Sequence, residues 1–174
     1  MKRLQQVLIL LLACVMLTGC SGNPYKAGLK SLEDGEYSKA VENFTEAIEE
    51  EKNLADAYRG LGIALWEEKE YKKSYDAMEN ALKNGTEETA TIHSIMANCA
   101  MQTKEYEAAA EHYETALLME DISEELEKET QYNLIAAYEY SDDIEKAREI
   151  LDKYIANYPD DADALKEADF LETR

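Results

Sequence analysis

From Ala55 to Lys83 the chain reads ADAYRGLGIALWEEKEYKKSYDAMENALK, two amphipathic helical patterns joined by a short polar turn. Tyr58, Leu61, Gly62, Leu65 and Trp66 follow one another at spacings of three and four or sit side by side. Tyr71, Ser74, Tyr75, Met78, Ala81 and Leu82 do the same after the turn Glu67-Glu68-Lys69-Glu70. That period is the mark of a helix with one buried stripe. Neither stripe is sheltered by its partner alone, so the pair needs further pairs on either side.

The chain supplies them. A unit of about 34 residues recurs. Gly28 is followed by Gly35-Glu36-Tyr37, Ala40, Phe44 and Ala47, and Gly62 by Lys69-Glu70-Tyr71, Ser74, Met78 and Ala81. Ala97 is followed by Lys104-Glu105-Tyr106, Ala109, Tyr113 and Ala116, and Ile135 by Asp142-Asp143-Ile144, Ala147, Leu151 and Tyr154. Tyr37, Tyr71 and Tyr106 stand 34 and 35 residues apart, and Ile144 comes 38 later. The third connection is thus read as longer by about four residues, within Ser123 to Lys128.

This pattern resembles the tetratricopeptide repeat family of helix–turn–helix units, over Pro24 to about Asp161. The resemblance implies an all-α, right-handed solenoid. The small residue of each first helix admits the second helix closely, and the Tyr closes the turn. Four units are expected, at about 24–54, 55–89, 90–123 and 128–161, with a C-terminal capping helix and tail at 162–174. Ser74 departs from an expected Ala, Ile135 from a small residue and Tyr154 from Ala, which predicts wider helix spacing in the fourth unit. Asn23 before Pro24, Asn53 before Leu54, and Asp160-Asp161 before Ala162 are candidate N-caps, and Asn84-Gly85 a candidate left-handed helix end. No stretch alternates with period two for long enough to make a strand.

Residues 1–19 differ from the rest. Lys2 and Arg3 precede an eleven-residue apolar run, Val7 to Leu17, and no acid occurs before Glu33. That is the make-up of a secretory signal peptide, too short for a membrane span of about 20 residues. Leu17-Thr18-Gly19-Cys20 resembles the lipobox of bacterial lipoproteins. The resemblance implies cleavage between Gly19 and Cys20 and a diacylglycerol on the Cys20 sulfur, so that residues 20–23 are lipidated Cys and linker. An ordinary soluble leader with an incidental Cys is the other reading. Leu11-Leu-Ala-Cys14 also fits a lipobox, but leaves too short an apolar run before it. A linker of three residues, Ser21 to Asn23, reaches only about 10 Å when extended. It would hold the folded part close to the extracytoplasmic face of the membrane, with the lipid anchor its sole membrane attachment. With Cys14 discarded and Cys20 lipidated, Cys99 is left alone and no internal disulfide is possible.

The chain carries 18 basic and 38 acidic side chains, a formal net charge of −20, and losing Lys2 and Arg3 with the leader makes it two units more negative. That argues against nucleic acid or anionic lipid heads as partners and leaves room for a partner with a basic face. Solubility of the helix surfaces accounts for most of it, and the run Glu49-Glu50-Glu51 is read as a solvated helix face.

Catalytic signatures are missing. His93 and His112 are the only histidines, without an HExxH spacing, and are read as surface or half-buried side chains. There is no GxSxG elbow, phosphate-cradling Gly-rich loop or CxxC. The run from Asp160 to Glu172 is no calcium loop, because Lys166 stands at the turn glycine and Leu165 at a ligand position. No catalytic residue, metal or cofactor is therefore expected, beyond the covalent lipid. By family resemblance a ligand segment binds along the first helices. The matching places are Tyr25 and Leu29; Arg59, Ile63 and Trp66; Asn98 and Met101; Tyr132, Ala136 and Tyr140, with packing between helices the other reading of Trp66 and Met101. No Lys lies among them, which argues against a clamp for a C-terminal carboxylate. The chain is expected to be a non-catalytic interaction scaffold for a protein or peptide partner in the cell envelope. Alternatives are a self-associating structural lipoprotein and, further off, a small-ligand-binding lipoprotein or enzyme. Oligomeric state stays open.

Overall fold

The computed structural model describes residues 22–173. Among them nine helices and no strand occur: α1 (Pro24–Glu33), α2 (Tyr37–Glu49), α3 (Leu54–Glu67), α4 (Tyr71–Lys83), α5 (Ala90–Thr103), α6 (Tyr106–Leu117), α7 (Glu124–Tyr140), α8 (Ile144–Asn157) and α9 (Ala162–Leu171). Each packs on the next in sequence, and first helices of successive pairs also touch, α1 with α3 and α5 with α7. That is the contact pattern of a solenoid.

The turn inside each pair has one design. After α1, Gly35 N–H donates to Leu32 O at 3.1 Å and Glu36 N–H to Ser31 O at 2.8 Å. This crossed pair of bonds satisfies the last carbonyls of the helix and requires a left-handed residue between. The same two bonds recur after α3 from Lys69 and Glu70, after α5 from Lys104 and Glu105, and after α7 from Asp142 and Asp143. Gly35, Lys69, Lys104 and Asp142 all have φ between 62° and 72°. Only the first is glycine, so three of the four turns carry an L side chain where it is strained.

First turns are capped where the sequence offers an oxygen. Asn23 accepts from Lys26 N–H with Pro24 at the first position, Thr89 from Ile92, Ser123 from Leu126, Asp143 from Lys146, and Asp161 from Asp163 and Ala164. Asn53 does not act as expected. It sits in the left-handed region at φ 51° and its side chain makes no capping bond. Glu51, also left-handed, ends α2 through the same crossed bonds, so the run Glu49–Glu51 straddles a helix end rather than lying on a helix. The extra residues after the third unit are not a longer connection either. Residues 124–127 form the first turn of α7, which reaches 17 residues.

The small residues of the first helices face large ones. Phe44 on α2 has no exposed surface. Its ring lies where a Cβ on Gly28 of α1 would come within 2.7 Å and one on Gly60 of α3 within 2.4 Å. One aromatic ring thus wedges between two helices of successive pairs. Gly62 faces Met78 of α4 in the same way, at 2.9 Å. Ser74, standing where Ala was expected, donates to Gly62 O at 2.7 Å within the core. In the fourth pair Ile135 is buried at the position of the small residue, and α7 and α8 meet less extensively than the helices of the other pairs. At the C-terminus, Leu171 is buried and its carbonyl accepts both Nε and Nη2 of Arg148, fastening α9 over α8.

Two substitutions test this packing. Gly60→Ala is expected to destabilise by about 1–3 kcal/mol, the usual effect of overpacking against a rigid ring. Lys104→Gly should stabilise by about 1 kcal/mol, because glycine adopts the left-handed turn without strain. Chemical denaturation measures both. A neutral G60A would mean the ring has room, and a destabilising K104G that the turn is not strained.

Candidate functional site

The first helices form one face of the stack, and two grooves lie along it. The N-terminal groove, enclosing about 380 Å³, runs between α1, α3 and α5. Tyr25 and Leu29 form one side, Gly60 and Ile63 the floor, and Thr91 and Ile95 the other side. Its charge is internally balanced at Arg59, whose Nη2 lies 3.0 Å from Asp56 Oδ1. Asp121 at the rim accepts the N–H of Ala90 at 3.1 Å. Burial, aided by the Asp56 carboxylate, raises the Tyr25 hydroxyl, which stays protonated and able to donate.

The C-terminal groove, about 360 Å³, lies between α7 and α9 and is walled by Tyr132, Ala136, Tyr140 and Phe170 with Glu139 and Glu167. Tyr140 is 65% exposed and its ring stacks on Tyr106 at 5.1 Å. Tyr132 separates this groove from a hollow lined by Glu125, Glu129, Asp161 and Asp163 with one cation, Lys128, which pairs with Asp161 at 3.4 Å. Burial, followed by Glu167, Asp163, Asp161 and Glu139, raises the Tyr132 hydroxyl above its ordinary value. The C-terminal groove is therefore aromatic within and acidic at its edges.

Of the residues singled out in the sequence, Tyr25, Leu29, Arg59 and Ile63 line the first groove, and Tyr132, Ala136 and Tyr140 the second. Trp66, Asn98 and Met101 line neither. Trp66 is half-buried with its ring 5.0 Å from Tyr71, at the turn. Asn98 Oδ1 accepts the Tyr113 hydroxyl at 2.5 Å, and Met101 packs on the C-terminal core. Thr91 and Ile95, and Glu167 and Phe170 from α9, were not singled out. In α5 eight of 14 residues are buried, including His93, Ser94 and Cys99, so its sequence shows no one polar face from which a groove register could be read. Phe170 was assigned to the capping helix, and an exposed aromatic there was the available signal.

Elsewhere the candidate chemistry is quiet. Cys99 is buried, and burial pushes its thiol up, away from the reactive thiolate. Among the described residues no group of three or more His, Cys, Asp or Glu is placed to hold a metal ion. His93 is more buried than the sequence suggested and lies against His112, Nδ1 to Nδ1 at 3.1 Å. Gly19 and Cys20 lie outside the described residues, and among those described no helix is long and apolar enough to cross a membrane.

Comparison with known proteins agrees with this architecture. The tetratricopeptide repeat family matches residues 25–77, 73–125 and 128–168. A TPR repeat-containing protein, YsoA of Bacillus subtilis (strain 168), is 28% identical over 90 residues, which are 52% of this chain and only 27% of that relative. The crystal structure of YrrB, described as a TPR protein with an unusual peptide-binding site, superposes with TM-score 0.73 at 18% identity over 84% of this chain and 73% of that one. MamA superposes with TM-score 0.72 at 16% identity over 85% and 78%. A tetratricopeptide repeat protein from Parabacteroides merdae gives 0.68 at 19% over 86% and 57%. Likenesses at such identities establish the fold alone. With the family matched along nearly all of the described residues, this chain belongs to the tetratricopeptide repeat family.

Proposed function

We propose that the chain is a non-catalytic scaffold that holds a segment of a partner protein against its first helices. The observation that carries this reading is the set of large apolar side chains left exposed along the two grooves, Leu29 of α1 at 44%, Tyr140 of α7 at 65% and Phe170 of the capping helix α9 at 51%. Tyrosines anchored on one edge and open on the other suit a binding surface. Two grooves in series suit an extended or helical segment better than a small molecule. Acidic edges around Tyr132 favour a partner with cationic side chains. That YrrB is described as having a peptide-binding site supports the class of ligand, not its identity.

In this proposal the scaffold is tethered by lipid at Cys20 outside the cytoplasmic membrane, after cleavage at Gly19. The support is the leader's basic start, apolar run and Leu-Thr-Gly-Cys string. Leu165 and Phe170, both exposed on α9, favour a second reading in which copies of the chain meet through their terminal helices.

A photo-crosslinking side chain in place of Ile63 is expected to give discrete adducts in intact cells, while one in place of the exposed Glu46 on α2 gives none. Equal labelling from both faces would remove the groove from consideration, and adducts of twice the chain's mass would favour self-association. Tyr140→Ala should weaken the Ile63-independent part of binding yet destabilise the fold by no more than about 1 kcal/mol, as suits an exposed stacked ring. Cys20→Ala is expected to move the protein from the detergent phase to the aqueous phase in phase partitioning, and a protein already aqueous without the change would refute the anchor.

A further inference from the structure

The two histidines of this chain, 19 residues apart, meet between the two helices of the third pair, beside its seam with the second. His93 on α5 is buried and His112 on α6 half-buried. Their rings are tilted by 34° with centroids 5.4 Å apart, and their Nδ1 atoms are 3.1 Å apart. His112 Nε2 lies 2.8 Å from the hydroxyl of Tyr75 on α4. His93 Nε2 is buried without a hydrogen-bond partner, 4.0 Å from the nearest oxygen of Glu88. One chain of contacts therefore ties α4, α6 and α5 together.

Counting protons shows what this chain can carry. Two Nδ1 atoms at this distance share one proton. With both rings neutral, the Tyr75 hydroxyl donates to His112 Nε2, His112 Nδ1–H donates to His93 Nδ1, and the His93 proton sits on Nε2 toward Glu88. A first added proton is accommodated at His112 Nε2, where it donates to the Tyr75 oxygen instead. A second must go to His93 Nδ1. Two N–H groups and two positive charges then meet head-on, and the bond between the rings is lost.

We propose that the His93–His112 contact is a proton-operated latch between the two helices of the third pair, closed when the rings hold at most one added proton and opened by the next. Around Tyr75 stand Asp76 and Glu105, and the rings themselves are faced by Glu79 from α4, Glu88 from the connection before α5 and Glu111 from α6. Glu79, Glu88 and Glu111 favour the charged rings. Burial opposes them and is the larger influence on both histidines, and for His112 the neighbouring His93 adds to it, so both lie below their ordinary 6.5. The unfolded chain takes up protons near 6.5 and the native chain only at lower pH. The latch thus contributes in full above 6.5 and its contribution falls as pH drops through the lower native values. Within that window each histidine kept neutral costs the folding equilibrium up to tenfold per pH unit. Opening would move the first two turns of α5, whose Thr91 and Ile95 form one side of the N-terminal groove. That consequence rests on the groove being the binding surface, whereas the latch does not.

With two histidines in the chain, proton NMR of their ring signals in the full chain is unambiguous. Two linked titrations are expected, both with midpoints below 6.5. Independent titration at or above 6.5 would overturn the latch. Amide hydrogen exchange followed from pH 7 down through the midpoints so measured, corrected for intrinsic rates, should accelerate across residues 84–95 and in α6 but not in α1 and α2. Uniform acceleration, or none, would also overturn it. The double variant H93Q/H112Q should lose the pH dependence of melting over this range, and retention of the wild-type slope would place its origin elsewhere. Should that variant fail to fold, the ring titration and exchange of the wild-type chain decide the matter.

Discussion

The solenoid depends on a reversal of direction repeated four times with one geometry. A single residue in the left-handed region, at Gly35, Lys69, Lys104 and Asp142, lets two N–H groups reach back to the end of the first helix and starts the second helix against it. The glutamate or aspartate that follows begins the second helix, and Tyr37, Tyr71, Tyr106 or Ile144 is its first residue. With the reversal fixed, the small residues of the first helix are carried opposite the large ones of the second. Close approach at Phe44 and Met78 is then a consequence of turn geometry and side-chain size together.

The same reversal divides labour between helix faces. A first helix must admit its partner on one side and its neighbour's first helix on another, and what remains is a narrow strip on the concave face. In α3 that strip carries Arg59 and Ile63, while Gly60 and Gly62 lie in close contacts toward Phe44 and Met78. Alternating uses on neighbouring positions explain how a helix of 14 residues serves the core and a groove at once.

The architecture was legible because it rests on local chemistry repeated at a fixed period. Tyr37, Tyr71 and Tyr106 mark it, and Asn23, Asp161 and Gly85 punctuate it where expected. What was not legible depended on contacts between units. Asn53 has the composition of a cap, but the crossed bonds that end α2 place it in a left-handed conformation where its side chain cannot reach the helix. Residues 124–127 have the polarity of a connection, yet Ser123 caps them into α7. In α5 burial nearly all round erased the polar face, so Asn98 matches a groove place and Met101 fits groove or core equally, while Thr91 and Ile95 line the groove. His93 and His112 meet across two helices, and no short-range pattern connects positions that far apart.

The fourth pair shows how such departures combine. Ile135 fills the place of a small residue, and α7 and α8 meet less extensively than the other pairs. A longer α7 and the capping helix α9 compensate, with Arg148 bridging α8 to the carbonyl of Leu171. Because α9 is held over this pair rather than followed by another repeat, its Phe170 stands across from Tyr132 and Tyr140 and completes a groove. In the N-terminal groove the opposing wall is the next first helix, α5. A terminal helix that shelters a stack's last stripe thereby also supplies the far side of a second, more aromatic and more acidic surface, so the two ends of one solenoid differ in chemistry although they are built from one repeat.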